Sequence, residues 1–506
     1  MIRTVRIRNG MVEGLPAADP RITSFKGIPY AAPPVGELRW KAPQRAKDWD
    51  GVLKAWSYAP RSVQKKPGLD PDNIYSREWN IDPEDPQSED SLYLNVWTPA
   101  RTFDEKLPVF IWFYGGGFQE GATSEMEFDG ERLARRGIVV VTVSYRLNAF
   151  GFLAHPEITA ESPDAPTNFG FLDQRFSMRW VKENIAAFGG DPNNVTIGGQ
   201  SAGGGSVLAQ YASPTTKGLF DRIIVDSGVR QLVYKPVRPP YTLREAEKLG
   251  IKLFEALGVK TLAEARKLDP FVIRDKVQEL KLFIGPVEDG VFTIGNHHEM
   301  LMNNQCEIKP MLVGHTATEF PGTPEVKTLA EFKEYAKAEF GEDAEEFLKI
   351  TESKTGSLLE AKNKAKVTEL EFTCRLFGEM KTATGEKTPM YYWCFGPDIP
   401  GWDDPKCFHS SDLWFFFETL AKCWRPFKGY HYDLARQMCS YWANFIRCGD
   451  PNGCDADGKP MPQWDPYTAK DPCRMYFGRK IYADREKPSE LMQFLLRHEM
   501  KKRGYK

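Results

Sequence analysis

Residues 188–204 read FGGDPNNVTIGGQSAGG, and this stretch decides the fold. Its segment VTIG, at 195–198, is short, apolar and β-branched, which predicts a strand. The pentapeptide GQSAG follows at 199–203 and leads into a helical pattern. The chain must therefore turn sharply, which lifts the Ser201 hydroxyl above the edge of a sheet. Taken alone, the five residues also match a glycine-rich turn without chemistry.

Outward from this turn, apolar runs of strand length alternate with helical patterns between about residues 108 and 228. Residues 108–114 (PVFIWFY) and 138–145 (IVVVTVSY) are almost continuously apolar, as in parallel strands that are buried on both faces. Apolar residues at helical spacing occupy 178–188 and end at a Gly-Gly pair. The alternation predicts an α/β fold with a central, mostly parallel sheet flanked by helices.

The rest of the chain shows no linker that would separate two domains. Residues from about 240 to 400 are richer in helical patterns, and 60–86 is a Pro- and Asp-rich segment without periodicity, which predicts a loop. We expect one domain over residues 1–506, with the helical region at about 240–400 inserted over the carboxyl edge of the sheet.

The composition is that of an ordinary globular protein, because 41% of the 506 residues are hydrophobic and 27% are charged. The 67 basic and 69 acidic side chains leave a net charge of −2, which gives no general attraction to nucleic acid or an anionic membrane. The longest apolar strand, at 138–143, is far shorter than the roughly 18 residues of a membrane helix. We expect a small-molecule ligand, no nucleic-acid or membrane partner, and either a monomer or a homodimer.

The cysteines indicate a reducing compartment. All nine lie from Cys306 onward, and none has the CxxC spacing of a zinc site. The first ten residues, MIRTVRIRNG, alternate apolar and basic residues and lack the apolar centre of a secretory signal. We therefore expect reduced thiols in a cytoplasmic protein.

A second glycine-rich segment, GGGF at 115–118, follows the predicted strand at 108–114. Glycines let backbone N–H groups approach a developing oxyanion without a Cβ in the way. A phosphate-binding loop is the rival interpretation, but neither glycine run continues into Gly-Lys-Ser or Gly-Lys-Thr. The predicted oxyanion-hole donors are the backbone N–H groups of Gly116, Gly117 and Ala202.

Together these motifs resemble the type-B carboxylesterases, the family that includes the cholinesterases. Residues 188–204 are similar to the active-site signature of that family, and EDSLYLNVWTP, at 89–99, is similar to its second signature. The resemblance runs from about residue 10 to 500 and is weakest from about 230 to 400. It implies an α/β-hydrolase fold and hydrolysis of carboxylic esters through an acyl-enzyme, with no cofactor or metal. Further matching segments are FKGIPYAAPPVGELRW, YGGGF, SYRLNAFGFL, NFGFLDQR and YWANFIRCGDPN.

A serine hydroxyl needs a general base and an acid that orients this base. In α/β hydrolases the chain order is serine, acid, histidine, so the base should lie late in the sequence. Of the seven histidines, His409 follows a strand-like segment at 390–395, and its context HSSDLWFFF is similar to the base motif of the family. Glu319 follows a predicted strand at 311–314 and matches the family pattern for the acid. The rivals for the acid are Glu288 and Asp289.

The chain also departs from the family pattern. Gln200 stands where the family commonly has glutamate, so cationic alcohol groups should be less favoured than in cholinesterases. Ser227 matches a serine that helps to hold the acid, with a plain turn serine as the alternative. Ser91 replaces a cysteine of secreted members, which favours a bacterial relative. Residues 297–299 (HHE) do not predict a metal site, because adjacent histidines on one element diverge.

Aromatic residues make up 13% of the chain, and several lie beside the catalytic motifs. We expect Phe118, Trp414 and Phe415 to line a hydrophobic pocket for short-chain or aryl esters. An amidase, a carbamate hydrolase or a feruloyl-type aryl esterase would use the same triad. A binding protein that has lost catalysis is a further alternative, but such relatives typically lack the serine.

Overall fold

The structure, a computed structural model, describes residues 1–79, 82–235, 241–352 and 356–505. Eighteen strands occur in these ranges, and most belong to one large sheet. In chain order they are β1 Thr4–Ile7, β2 Gly10–Glu13, β3 Leu15–Pro16, β4 Thr23–Pro29, β5 Val52–Lys54, β6 Tyr93–Thr98, β7 Leu107–Phe113, β8 Val139–Val143, β9 Gly190–Gln200, β10 Arg222–Asp226, β11 Tyr241–Thr242, β12 Val287–Glu288, β13 Met311–Thr316, β14 Pro321–Gly322, β15 Val367–Thr368, β16 Met390–Phe395, β17 Arg474–Phe477 and β18 Ile481–Asp484.

Seventeen α-helices lie in the described ranges, and they are dense between residues 241 and 384. None of these described helices combines the length and the apolar character that crossing a membrane requires. In chain order they are α1 Ile74–Glu78, α2 Glu131–Ala134, α3 Asn148–Phe152, α4 Pro156–Glu161, α5 Phe169–Asn184, α6 Ala202–Ala212, α7 Leu243–Leu257, α8 Leu262–Ala265, α9 Pro270–Glu279, α10 His297–Met302, α11 Leu329–Phe340, α12 Ala344–Thr351, α13 Leu358–Lys364, α14 Glu369–Thr384, α15 Leu413–Phe416, α16 Gly429–Cys448 and α17 Glu490–Lys502.

The large sheet contains eleven strands of the described chain in the order β18-β17-β16-β13-β10-β9-β7-β8-β6-β4-β3. The seven strands from β17 to β8 in this order are parallel to one another. Antiparallel pairs occur at both edges, where β18 joins β17 and where β6, β4 and β3 follow β8. The predicted, mostly parallel sheet is present, with antiparallel additions that the sequence did not indicate.

Helices cover both faces of this sheet, as the alternating side chains of β7 show. Val109 and Ile111 point into one buried cluster, whereas Phe110 and Trp112 point into a second cluster on the opposite face. Each of the four is 0% exposed. A strand buried on both faces has no need for polar residues, which explains its continuous apolar sequence.

Two elements are longer than the sequence pattern indicates. The strand predicted at 195–198 begins at Gly190, because Gly190 pairs with Leu107 of β7 ahead of a register shift. The helix predicted at 178–188 begins at Phe169 as α5, and 185–188 form a 3-10 turn. In the segment 60–86, the short helix α1 is the regular element of the described residues.

Candidate active site

The carboxyl ends of five neighbouring parallel strands converge at one edge of the sheet. In spatial order they are β7, β9, β10, β13 and β16. Because parallel strands end at the same edge, the segments that follow them meet there although they are far apart in sequence. The predicted site residues on these segments are Gly116 and Gly117 after β7, Ser201 after β9, Ser227 after β10, Glu319 after β13 and His409 after β16.

Ser201 occupies the sharp turn between β9 and α6. Its backbone has φ 57° and ψ −123°, a strained conformation that costs about 1–3 kcal/mol and is typical of functional sites. The turn is so tight that a Cβ on Gly203 would lie 2.0 Å from the carbonyl oxygen of Phe113, and one on Gly199 would lie 2.4 Å from Gly203. Both positions therefore require glycine, and the turn projects the Ser201 hydroxyl from the sheet edge.

The imidazole of His409 lies between Ser201 and Glu319. Its Nε2 is 2.8 Å from Ser201 Oγ, and its Nδ1 is hydrogen-bonded to Oε2 of Glu319. With the proton assigned to Nδ1, Nε2 is free to accept the hydroxyl proton of Ser201. The side-chain amide of Gln200 lies 3.4 Å from the same Nε2. The structure thus brings together the three residues that the sequence predicted as a triad.

Three donors surround the carboxylate of Glu319. Besides His409, the hydroxyl of Ser227 donates to Oε1 at 2.6 Å and the backbone N–H of Thr316 donates to the same oxygen at 2.7 Å. Burial alone would raise the pKa of Glu319, but His409 and these contacts hold it below its usual value. Glu319 is therefore ionised at neutral pH although it is 3% exposed.

Two further carboxyl groups, those of Asp226 and Asp412, are buried beside Glu319. Burial and the charge of the neighbouring carboxylates raise the pKa of both groups. Ser227 Oγ lies 3.2 Å from Asp226 Oδ1, but it has one proton to donate and is closer to Glu319. The donors therefore stabilise negative charge on Glu319 rather than on either aspartate.

The predicted oxyanion donors lie next to Ser201. Gly116 and Gly117 have φ values of 104° and 63°, in the region that favours glycine. In the described chain, no protein acceptor takes the backbone N–H of either glycine. Ala202 is the first residue of α6, so its N–H has no acceptor within the helix. These backbone donors are available to an external acceptor.

A cavity of about 420 Å³ opens beside Ser201 and His409, within the usual size range of small-molecule sites. None of the three aromatic residues expected in the pocket is among its lining residues. Trp414 and Phe415 are 1% and 0% exposed in the core, and Phe118 packs on Phe152. The apolar side chains that line the cavity are Tyr75, Trp79, Phe128, Phe320 and Leu413.

The chain matches the model of the carboxylesterase family over residues 2–494. It belongs to the carboxylesterase family. This match and the similarity to known esterases confirm the predicted membership of the type-B carboxylesterases. As a member, this carboxylesterase is a serine hydrolase that acts on carboxylic esters.

Similar proteins span nearly the whole chain. Over 467 residues it is 33% identical to the para-nitrobenzyl esterase of Bacillus subtilis, with 88% of this chain and 90% of the relative covered. Over 473 residues it is 31% identical to the fumonisin B1 esterase of Sphingopyxis macrogoltabida, covering 88% and 82%. A solved PNB esterase structure superposes with a TM-score of 0.79 at 28% identity and covers 98% of this chain and 99% of its own. The predicted α/β-hydrolase fold is confirmed.

None of the other six histidines of this carboxylesterase lines the cavity beside Ser201. His315 lies on β13, where its Nε2 is 2.8 Å from the hydroxyl of Tyr392. His155 caps α4, His431 lies in α16 and His498 lies in α17. Burial lowers the pKa of His297 to about 3 and that of His298 to about 4, so both are neutral. Across the described residues, no group of three or more His, Cys, Asp or Glu side chains could hold a metal ion.

Sequence reasoning missed part of the cavity wall. Tyr75 and Trp79 come from the segment that was predicted as a loop, where two aromatic residues among Pro and Asp were a usable signal. Glu120, Glu125 and Glu127 also line the cavity. No sequence pattern indicated that Glu125 and Glu127 are buried, because charged residues usually face solvent.

Proposed function

We propose that Ser201, His409 and Glu319 act as a catalytic triad that hydrolyses short-chain or aryl carboxylic esters. The observation that carries this proposal is the position of the His409 ring, between Ser201 Oγ at 2.8 Å and the ionised Glu319. This is the arrangement that a hydroxyl nucleophile, its general base and the orienting acid require.

In the first half-reaction, His409 Nε2 takes the proton of Ser201 as Oγ attacks the ester carbonyl carbon. Glu319 keeps the other ring proton on Nδ1 and stabilises the imidazolium that forms. The tetrahedral intermediate collapses, the bond to the alcohol oxygen breaks, and the imidazolium protonates the departing alcohol. An acyl group then remains on Ser201 Oγ.

In the second half-reaction, water replaces the alcohol. His409 accepts a proton from the water, whose oxygen attacks the acyl carbon, and returns it to Ser201 Oγ when the carboxylic acid leaves. The backbone N–H groups of Gly116, Gly117 and Ala202 donate to the oxyanion in both steps. Each such donor typically contributes about 2.7–4 kcal/mol of transition-state stabilisation.

The cavity supports the proposed substrate size. A volume of about 420 Å³ suits a small ester, and the rings of Trp79, Phe128 and Phe320 offer apolar contact to an acyl chain or an aryl group. The para-nitrobenzyl esterase relative is named for an aryl-bearing ester of this kind. Amide, carbamate and feruloyl substrates would distinguish the alternatives that share the triad.

The test is hydrolysis of p-nitrophenyl acetate, butyrate and octanoate by the wild type and by Ser201→Ala. We expect the substitution to lower kcat by about 10⁴- to 10⁶-fold. Ser489→Ala is the matched control, because Ser489 is an exposed cap of α17 outside the cavity. Mass spectrometry after reaction with an organophosphonate should place the label on Ser201.

A folded wild type that hydrolyses none of these esters and takes no label would contradict the proposal. Equal activity of wild type and Ser201→Ala would contradict it too, since the nucleophile would then be another group. The order of rates among the three esters measures how long an acyl chain the cavity accepts.

We also infer a cytoplasmic location. All nine cysteines are free thiols, and several, including Cys374, Cys439 and Cys473, are buried. Such thiols persist where the compartment is reducing. Labelling of the denatured protein, isolated without reductant, should count nine reactive thiols; fewer would indicate disulfides and an oxidising compartment.

A further inference from the structure

Three glutamates form one side of the cavity that contains Ser201. We call Glu120, Glu125 and Glu127 the acidic wall. Glu120 is partly exposed, Glu125 is 7% exposed and Glu127 is 0% exposed, so the three lie at increasing depth. Among the described residues, no Lys, Arg or His forms an ion pair with any of them. Carboxyl groups that line a cavity and form no ion pair are available to a cationic ligand.

The deepest member of the acidic wall lacks a donor. No other described residue donates a hydrogen bond to either side-chain oxygen of Glu127. Its carboxyl instead meets that of Glu125, which accepts a hydrogen bond of 2.6 Å from the backbone N–H of Ala122. Two carboxyl groups can form a hydrogen bond if one of them keeps a proton. Burial raises the pKa of both, and that of Glu127 by more.

Nearby positive charge does not neutralise the acidic wall. The guanidinium of Arg61 is hydrogen-bonded to Asp85 through Nε at 2.9 Å and Nη2 at 2.5 Å. From farther away its charge lowers the pKa of Glu120 and Glu125, but it does not outweigh their burial. Ser124 also donates to this aspartate. Lys65, which lowers the pKa of Glu120 by its charge, is exposed to solvent. Glu127 as an acid beside an ionised Glu125 therefore leaves net negative charge facing the cavity.

We propose that the acidic wall binds a protonated primary amine carried by the ester substrate, with Glu120 and Glu125 accepting its N–H groups. This inference rests on the proposed function, because it places the amine in the cavity where Ser201 attacks the ester. A primary ammonium has three donors and a compact charge, which matches carboxylate acceptors that form no ion pair with a described residue of the protein.

The proton on Glu127 has a role in this arrangement. As a neutral acid it donates to Glu125 and keeps that carboxylate oriented, while it adds no second buried charge. Gln200 also lines the cavity, and because its side chain is neutral it adds no carboxylate that would compete for the amine. A cation that enters the cavity is therefore drawn to the wall.

The experiment uses the full chain with Ser201→Ala, so that binding is measured without chemistry. Calorimetry at pH 8 compares n-hexylamine, which is protonated there as a lysine side chain is, with 1-hexanol and hexyltrimethylammonium. We expect the amine to bind at least about tenfold more tightly than the alcohol. We expect the quaternary cation to bind more weakly than the amine, because it has no N–H donor.

Adding Glu125→Gln to the Ser201→Ala protein should weaken n-hexylamine binding about tenfold or more and leave 1-hexanol binding unchanged. Adding Glu379→Gln is the matched control, since this partly buried carboxyl lies in a separate surface groove and should not alter amine binding. Equal affinity for amine and alcohol would overturn the inference, as would retained amine binding in the Glu125 variant.

Should the Glu125 variant fail to fold, the comparison of ligands decides by itself. A quaternary cation that binds as tightly as the primary amine would assign the cation to aromatic faces and overturn the acidic wall. These results are separate from hydrolysis of neutral esters by the wild type. If the wild type hydrolyses neutral esters but the amine does not bind preferentially, the amine site alone is refuted. If the amine binds preferentially but the wild type hydrolyses no ester, the proposed function alone is refuted.

Discussion

Glu319, which is hydrogen-bonded to His409, and Glu127, which lines the cavity beside His409, are both buried, yet their surroundings shift their pKa values in opposite directions. Glu319 is 3% exposed and accepts hydrogen bonds from Ser227, Thr316 and His409. Glu127 is 0% exposed, receives no donor among the described residues and faces another carboxyl. The pKa of Glu319 therefore lies below its usual value, and that of Glu127 lies well above it.

The difference shows that burial does not decide ionisation by itself. Burial disfavours the charged form of both side chains, and the donors around Glu319 outweigh this cost. Glu319 thus provides a fixed negative charge that orients His409. In the acidic wall, the raised pKa values of Glu125 and Glu127 allow the carboxyl groups to keep a proton, so a cation in the cavity can change their ionisation. Three substitutions test this contrast.

The largest effect is expected for Glu319→Gln. A glutamine amide can donate to His409 Nδ1, which moves the ring proton to Nε2 and leaves no acceptor for the Ser201 hydroxyl. We expect kcat for p-nitrophenyl butyrate to fall by about 10³- to 10⁴-fold with little change in fold. Steady-state kinetics and circular dichroism measure the two quantities.

Glu379→Gln is the control for losing a partly buried carboxyl outside the cavity, and it should retain wild-type kcat. A Glu319→Gln enzyme with more than a tenth of wild-type activity would show that Glu319 does not set the tautomer of His409. The acid would then have to be sought among the other carboxyl groups near the ring.

An intermediate effect is expected for Ser227→Ala. The hydroxyl donates to ionised Glu319 at 2.6 Å, and such bonds to charged groups contribute about 1.5–3 kcal/mol. Its loss should raise the pKa of Glu319, so that the carboxylate takes up a proton at higher pH than in the wild type. We expect kcat to fall about tenfold and the acid limb of its pH profile to move to higher pH.

The pH profile distinguishes a positioning role from a structural one. Ser489→Ala, the same substitution at an exposed cap, should leave both kcat and the profile unchanged. If Ser227→Ala lowers kcat but leaves the acid limb in place, the hydroxyl supports the fold around Glu319 without tuning its ionisation.

The positions of Ser201 and of the GGGF segment could be predicted because their signals are local. The turn at Ser201 requires glycine, because a Cβ on Gly203 would reach the Phe113 carbonyl. The glycines of the motif therefore indicate a sharp turn from the sequence alone. The apolar runs before the GGGF and GQSAG motifs form neighbouring strands, β7 and β9. Chain order, together with the resemblance to the family's motifs, then indicated His409 as the base and Glu319 as the acid, with Glu288 and Asp289 as rivals for the acid.

The walls could not be predicted because their positions depend on packing between distant segments. Trp414 and Phe415 lie near His409 in sequence, but α15 buries both in the core. Trp79 lies far away in sequence and lines the cavity, where its ring stacks near Phe408 at 6.4 Å. A glutamate such as Glu127 is usually at the surface, so nothing in its neighbours reveals its burial.

The smallest effect concerns stability and tests the acidic wall. Burial raises the pKa of Glu125 to about 7 and that of Glu127 further, so the folded protein keeps protons that the unfolded chain releases above about pH 4.5. The stability they contribute is complete below that pH and is lost as pH rises through 7. The isosteric double variant Glu125→Gln/Glu127→Gln lacks both titrating groups, so it cannot lose this stability as the pH rises. We expect the free energy of unfolding of the variant, relative to wild type, to rise by on the order of 2 kcal/mol from pH 5 to 8.

Urea unfolding followed by tryptophan fluorescence at the two pH values measures this difference. The control pair Glu334→Gln/Glu339→Gln removes two exposed carboxyl groups of α11. Its free energy of unfolding relative to wild type should be nearly the same at pH 5 and pH 8. A variant whose relative stability is the same at pH 5 and pH 8 would mean that the acidic wall is ionised in the folded state, as Glu319 is. Glu319 and the acidic wall would then no longer differ in their ionisation.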